Sequence, residues 1–121
     1  MINQKPYLIR AIYEWCQDNN LTPYLATMVD ERTVVPNEYV EDEKIILNIA
    51  NDATKDLLID NEWITFKATF SGVIQELVIP VANVIAIFAK ETSQGMQFQA
   101  EMEEVPTVTP QNSGGGLKLV K

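Results

Sequence analysis

Histidine is absent from the 121-residue sequence, cysteine occurs once, and basic residues are outnumbered 17 to 9 by acidic ones. Without histidine, the usual general base, the commonest metal ligand and the Ser/His and Cys/His dyads are all missing. The single cysteine, Cys16, can form neither an intramolecular disulfide nor a thiol cluster. That usage suits a reducing compartment and burial in a helix. No stretch reaches the ~20 apolar residues of a membrane helix, and Met1-Ile2-Asn3-Gln4-Lys5-Pro6 lacks the apolar segment of a secretion signal. A cytoplasmic chain with no membrane partner is therefore expected. The net charge of -8 and pI near 4.4 repel phosphate backbones, so no nucleic acid is expected, although most of these carboxylates read as solvated surface. Neither G-x-x-x-x-G-K-[ST] nor G-x-G-x-x-G occurs, and Gly114-Gly115-Gly116 does not precede a helix-length segment that could hold a phosphate. Glu41-Asp42-Glu43 reads as a solvated turn rather than a carboxylate dyad or calcium loop. The reading is of a binding protein rather than an enzyme, with no catalytic residue, metal or cofactor.

What the chain does contain is enough apolar material, 46% of its residues, for one modest core. Pro6 suits a first helical turn, and Tyr7 to Asp18 follows without a breaker until Asn19-Asn20. Leu8, Ala11, Ile12 and Trp15 recur at helical spacing, with Ile9, Tyr13 and Cys16 in a second apolar row beside them. Only Arg10, Glu14, Gln17 and Asp18 are left for water. A helix apolar over so much of its circumference covers its own domain and a further partner, or else is wedged deep in its own monomer. The first alternative predicts a dimer interface at Leu8, Ile9, Ile12, Trp15 and Cys16.

From Leu21 the pattern changes to short β-branched and aromatic runs: Leu25 to Val29, Ile45 to Ile49, Leu57 to Ile59, Trp63 to Phe70, Ile74 to Ile79 and Val84 to Ala89. Ser71-Gly72 between two alternating runs predicts a hairpin. Val81 to Lys90 reads as a short helix followed by a strand. The expected class is mainly β with an N-terminal helix, a compact, partly closed sheet of five or six strands, because no second crossover helix separates them. Phe66, Phe70 and Phe98 could stack on RNA bases, yet the basic groove this needs is missing, so the rings are assigned to packing.

Past Phe98 the pattern dissolves. Residues 101–116 carry prolines, small polar residues and the glycine triplet, which is linker chemistry. Leu117-Lys118-Leu119-Val120-Lys121 then follows, an apolar, basic pentapeptide with nothing nearby in sequence to pack on. Such a segment reads as a ligand for a groove or sheet edge of another protein, the alternative being pairing with its own sheet. The division is a domain over 1–100, a flexible linker over 101–116 and a docking peptide over 117–121.

Taken in order, several stretches resemble the stringent starvation protein B (SspB) family. Pro6 to Trp15 (PYLIRAIYEW) resembles PYLLRAxYEW, Asp18 to Pro23 resembles DNxLTP, Val35 to Val40 resembles VPxEYV, and Ile45 to Ala50 resembles IVLNIA. Phe66-Lys67-Ala68-Thr69-Phe70-Ser71-Gly72 is similar to FNARFxG, Ala86 to Glu91 to AIYARE, Met96-Gln97-Phe98 to MFE, and Gly115 to Lys121 to GGRPxLRVVK. The resemblance implies an Sm-like, SspB-like partly closed β-barrel and a homodimer joined through the N-terminal helix. It implies a groove for the ssrA degradation tag at Ala68, with Phe66 and Phe70 as walls and Asn48, Ala50 and Phe98 nearby. It also implies docking of Leu117, Lys118, Leu119, Val120 and Lys121 on the ClpX N-terminal domain, and allows ribosome association on resemblance alone. Lys67 and Thr69 depart from the Asn and Arg of the pattern, so polar contacts to the tag are expected to differ. The linker is shorter than in familiar relatives: about 16 residues, a flexible span of ~22 Å and an extended limit of ~55 Å. A dimeric scaffold or an Sm-like RNA-binding module without tag recognition are the alternatives.

Overall fold

The computed structural model describes residues 2–99; the expected linker and docking peptide lie outside the described residues. The chain begins with helix α1 (Lys5–Asp18), with Pro6 in its first turn. Asn20 takes a left-handed φ of 57°, and the Leu21 N–H returns to the Cys16 carbonyl at 2.8 Å, which stops the helix. The strands that follow are β1 (Pro23–Met28), β2 (Lys44–Asn48), β3 (Lys55–Ile59), β4 (Trp63–Phe70), β5 (Val73–Pro80), β6 (Val84–Ala89) and β7 (Gly95–Gln97). Single 3-10 turns cover Asn37–Tyr39 and Val81–Asn83, so the segment after β5 is, as its sequence indicates, a short helical turn leading into a strand.

The strands form two antiparallel sheets, one in the order β2-β1-β6-β7 and one in the order β3-β4-β5. The expectation of a partly closed barrel is corrected here, because no strand of one sheet pairs with a strand of the other among the described residues. The cause is local. β2 and β3 are consecutive, but the chain turns at Ala50, whose carbonyl accepts the Ala53 N–H at 2.9 Å, and so leaves the first sheet to start the second. The sheets meet instead through their apolar faces. Leu25, Ile45, Leu47 and Ile87 from the first pack in one core with Ile59, Ile64, Phe66, Leu77 and Ile79 from the second. Period-two alternation delivers these residues to one side of each strand; β2, for instance, buries Ile45 and Leu47 and exposes Lys44, Ile46 and Asn48.

Helix α1 lies against β1, β6 and β3. Its inward stripe contains Ile9 and Cys16, both 0% exposed, which corrects their assignment to a dimer interface: each side chain is used up within its own protomer. Burial pushes the Cys16 thiol up, with the Glu91 carboxylate adding to the effect, so this cysteine is a small core residue rather than a reactive one. Arg10, expected to face water, ties the helix to the second sheet by donating to the Ile59 carbonyl at 2.9 Å and the Asn61 Oδ1 at 3.0 Å. Its guanidinium also lies over the Tyr7 ring, 4.6 Å from the centroid. Lys5 is buried, with its Nζ donating to the Ala82 carbonyl at 3.1 Å and lying 5.4 Å from the Phe98 ring centroid.

Two further contacts complete the frame. At β7 only a glycine fits opposite Phe88, because a Cβ on Gly95 would fall onto the Ile87 carbonyl and the Phe88 Cα. Between the start of β1 and the end of β6, the Thr22 N–H and hydroxyl donate to the two oxygens of Glu91 at 2.8 and 2.7 Å. These bonds, the backbone N–H first, hold the Glu91 carboxyl below its ordinary pKa. A folded-state pKa depressed in this way contributes stability above the unfolded pKa and loses it as pH falls through the folded one. Glu91→Gln is therefore expected to lower the melting temperature at pH 7, and the difference from the parent should close below roughly pH 4. Thermal melts of both proteins across that range check this.

Candidate functional site

The site is built on the β4–β5 hairpin. Ser71 (φ 53°) and Gly72 (φ 81°) are both left-handed, the requirement of a two-residue type I′ turn. The turn sets the register Phe70↔Val73, Thr69↔Ile74, Ala68↔Gln75 down to Trp63↔Pro80. Ile64, Phe66, Ala68 and Phe70 share the core-facing side, and their burial falls along the strand: Ile64 and Phe66 are buried, Ala68 and Phe70 half-buried. Phe66, at 2% exposed, is thus core and presents no surface. Phe70 is held from outside by Tyr39, 5.5 Å between ring centroids, with the Tyr39 hydroxyl 3.3 Å from the Ser71 Oγ.

β3 does not run the full length of β4. Their ladder ends at Lys55↔Lys67, leaving Ala68, Thr69 and Phe70 unpaired on that side among the described residues. Continued by one more step of two residues, the ladder would set Ala53 opposite Thr69. The Ala53 N–H is instead spent on the Ala50 carbonyl at 2.9 Å, the same oxygen that accepts the Thr54 hydroxyl at 3.1 Å. The Asn48 Oδ1 accepts the Ala50 N–H at 2.9 Å and fixes the start of this turn. A groove of about 440 Å³ results, walled by Asp52, Ala53 and Thr54 on one side and by Lys67, Ala68, Thr69 and Ile74 on the other, with Lys55 at its end.

The groove is polar and apolar by turns. Lys67 Nζ lies 3.6 Å from the Asp56 carboxylate, both side chains well exposed, an ion pair that contributes little to stability. Ile74 is 70% exposed and Val73 58%, unusual for apolar side chains at a hairpin tip. A second concavity, about 470 Å³, lies by the helix start between Pro6, Arg32, Trp63 and Val81. There Arg32 already donates to Asp30 at 3.1 Å and to Asn83 at 3.2 Å. The Ala68 groove, unlike this concavity, borders the unpaired end of β4.

Of the sequence-expected residues, Ala68 lines the groove, Phe70 adjoins it on the same strand face, and Asn48 and Ala50 hold the turn that walls it. Phe98 is not brought there. Its N–H donates to the Ile85 carbonyl at 2.8 Å and its ring packs beside Lys5. Sequence reasoning missed Ile74, Thr54 and Tyr39. For Tyr39 the signal was present in the VPxEYV-like stretch, and for Ile74 in an apolar residue placed just past a turn. Thr54 gave none, since its position depends on where the chain leaves the first sheet. No group of three or more His, Cys, Asp or Glu side chains gathers as a metal site among the described residues, and no helix there is long and apolar enough to cross a membrane.

Fold and groove together define a small, mainly β domain with an N-terminal helix and a sheet edge left open beside a short-side-chain position. The family model described as Stringent starvation protein B matches residues 3–115. The Stringent starvation protein B homolog of Haemophilus influenzae is 44% identical over 99 residues, covering 81% of this chain and 66% of that protein, so the matched segment spans just under two thirds of the relative's length. The chain belongs to the stringent starvation protein B family.

Proposed function

We propose that this protein is a cytoplasmic proteolysis adaptor that binds ssrA-type degradation tags in the Ala68 groove and tethers tagged polypeptides to the ClpX unfoldase of ClpXP. Membership of the family supports the reading, and one observation carries it: the unpaired end of β4 beside Ala68, walled by the turn at Ala50. Such a site binds an extended chain and needs no covalent chemistry; ATP hydrolysis belongs to ClpX. Leu8 and Trp15 are only half-buried, Ala11 is exposed and Ile12 is half-buried against the core, so a stripe at helical spacing remains partly uncovered on α1 for the homodimer. The pentapeptide Leu117 to Lys121 docks on the ClpX N-terminal domain, and tethering raises the tag's local concentration at the pore.

The test is ClpXP degradation of an ssrA-tagged reporter at low substrate concentration, with and without this protein. Stimulation is expected from the parent, and Leu117→Asp should abolish it while leaving peptide binding within about twofold, a change worth roughly 0.4 kcal/mol. Absence of stimulation by the parent contradicts the adaptor reading. Full stimulation by Leu117→Asp contradicts docking through the tail.

A further inference from the structure

The groove's backbone bears on how a peptide is read, an inference that rests on the tag-binding reading above. In a two-residue hairpin the residues flanking the turn exchange both backbone hydrogen bonds, and pairs then alternate along the strands. With Phe70↔Val73 as the flanking pair, the even-numbered residues of β4 bond to β5. The far end agrees: the Val81 N–H donates to the Glu62 carbonyl at 2.9 Å, and Pro80, which has no N–H, falls opposite odd-numbered Trp63. The N–H and C=O of Thr69 therefore point away from β5, into the groove. The residue that would have met them, Ala53, has given its N–H to Ala50.

The strand also presents different surfaces above and below that edge. Ala68 and Phe70 lie on the core-facing side; Ile74, directly opposite Thr69 in β5 and 70% exposed, lies on the other, where it forms part of the groove wall. A chain paired with Thr69 sends successive side chains alternately to the two sides. One meets the small Ala68 and the Phe70 ring held by Tyr39; the next meets the Ile74 side chain.

We propose that the groove takes its peptide as an added strand of the β3-β4-β5 sheet, paired through the Thr69 N–H and C=O in the place Ala53 vacates, and that Ile74 selects an apolar side chain at the position alternate to the one over Ala68. The occupant is an extended segment of another polypeptide. Main-chain pairing supplies affinity that tolerates varied sequence, and the two side-chain contacts supply the preference. Asn48 and Ala50 are positioning residues in this scheme, since they hold the turn that keeps Ala53 away from Thr69.

The experiment uses the full chain and a synthetic ssrA peptide. Amide hydrogen exchange by NMR, with and without saturating peptide, is expected to slow at Thr69 by tenfold or more while the Ala68 and Phe70 amides, already paired with β5, change little. Ile74→Ser, an exposed substitution that should leave the melting temperature in place, is expected to weaken binding about tenfold, and Ile74→Val to restore most of it. Saturable binding with an unchanged Thr69 amide overturns strand addition and leaves tag recognition standing. Ile74→Ser binding as the parent does overturns the selective role of Ile74. Failure of the peptide to bind the parent at all overturns the tag-binding reading and this proposal together.

Discussion

Replacing Ala68 by Gln is expected to weaken ssrA peptide binding by about 30-fold or more, roughly 2 kcal/mol. Ala68 lines the groove at the point where β4 loses its β3 neighbour, and its half-buried methyl faces the same side as Phe70. Glutamine adds a methylene and a carboxamide there, occupying space that a peptide side chain would need. The fold should tolerate the change, because the longer side chain can leave toward the open end of the groove. Titration of a labelled peptide with the Ala68→Gln protein, alongside a thermal melt, separates lost binding from lost folding. Parent-like affinity in a folded Ala68→Gln protein would mean that the peptide sits elsewhere.

Phe66→Ala should instead act on stability, costing about 3–5 kcal/mol. The ring is 2% exposed and packs in the shared core with Ile64, Leu77 and Ile79, so truncation leaves a cavity between the two sheets. Against a typical total of roughly 5–15 kcal/mol, that loss is a large share of the stability. Urea unfolding measures it directly. A Phe66→Ala protein as stable as the parent would show that the ring is not a core element and would reopen its assignment as a groove wall. The contrast with Ala68, two residues along the same strand face, is the difference between the closed and open ends of one sheet.

Much of this frame was legible in the chain because the cues were local. β4 is predicted at its observed bounds, Trp63–Phe70, by β-branched and aromatic alternation ending at Ser71-Gly72, and Val81 to Lys90 resolves into the helical turn and strand that its composition suggests. β7 was missed, as Gly95-Met96-Gln97 carries neither β-branched residues nor alternation, and its glycine is there to let the backbone approach Ile87. β3 begins two residues before its apolar run, at Lys55, because an exposed edge tolerates charge.

What the sequence hid was long-range geometry. Two apolar rows on α1 are equivalent in periodicity, so nothing local says that Ile9 and Cys16 turn inward while Leu8 and Trp15 remain half-covered. The same holds for barrel closure, which depends on which strands come together after the chain leaves the first sheet past Ala50 and returns to it past Val81–Asn83. For the site, alternation placed Phe66, Ala68 and Phe70 on one face correctly, but the gradient of burial along that face depends on where β3 stops. That stopping point also creates the open edge at Thr69, a feature with no residue-type signature.

The most direct test of the central claim is fluorescence anisotropy of a labelled ssrA peptide titrated with this protein. Saturable binding with one peptide per protomer is the predicted result; an anisotropy that stays flat while the protein remains folded would contradict tag recognition.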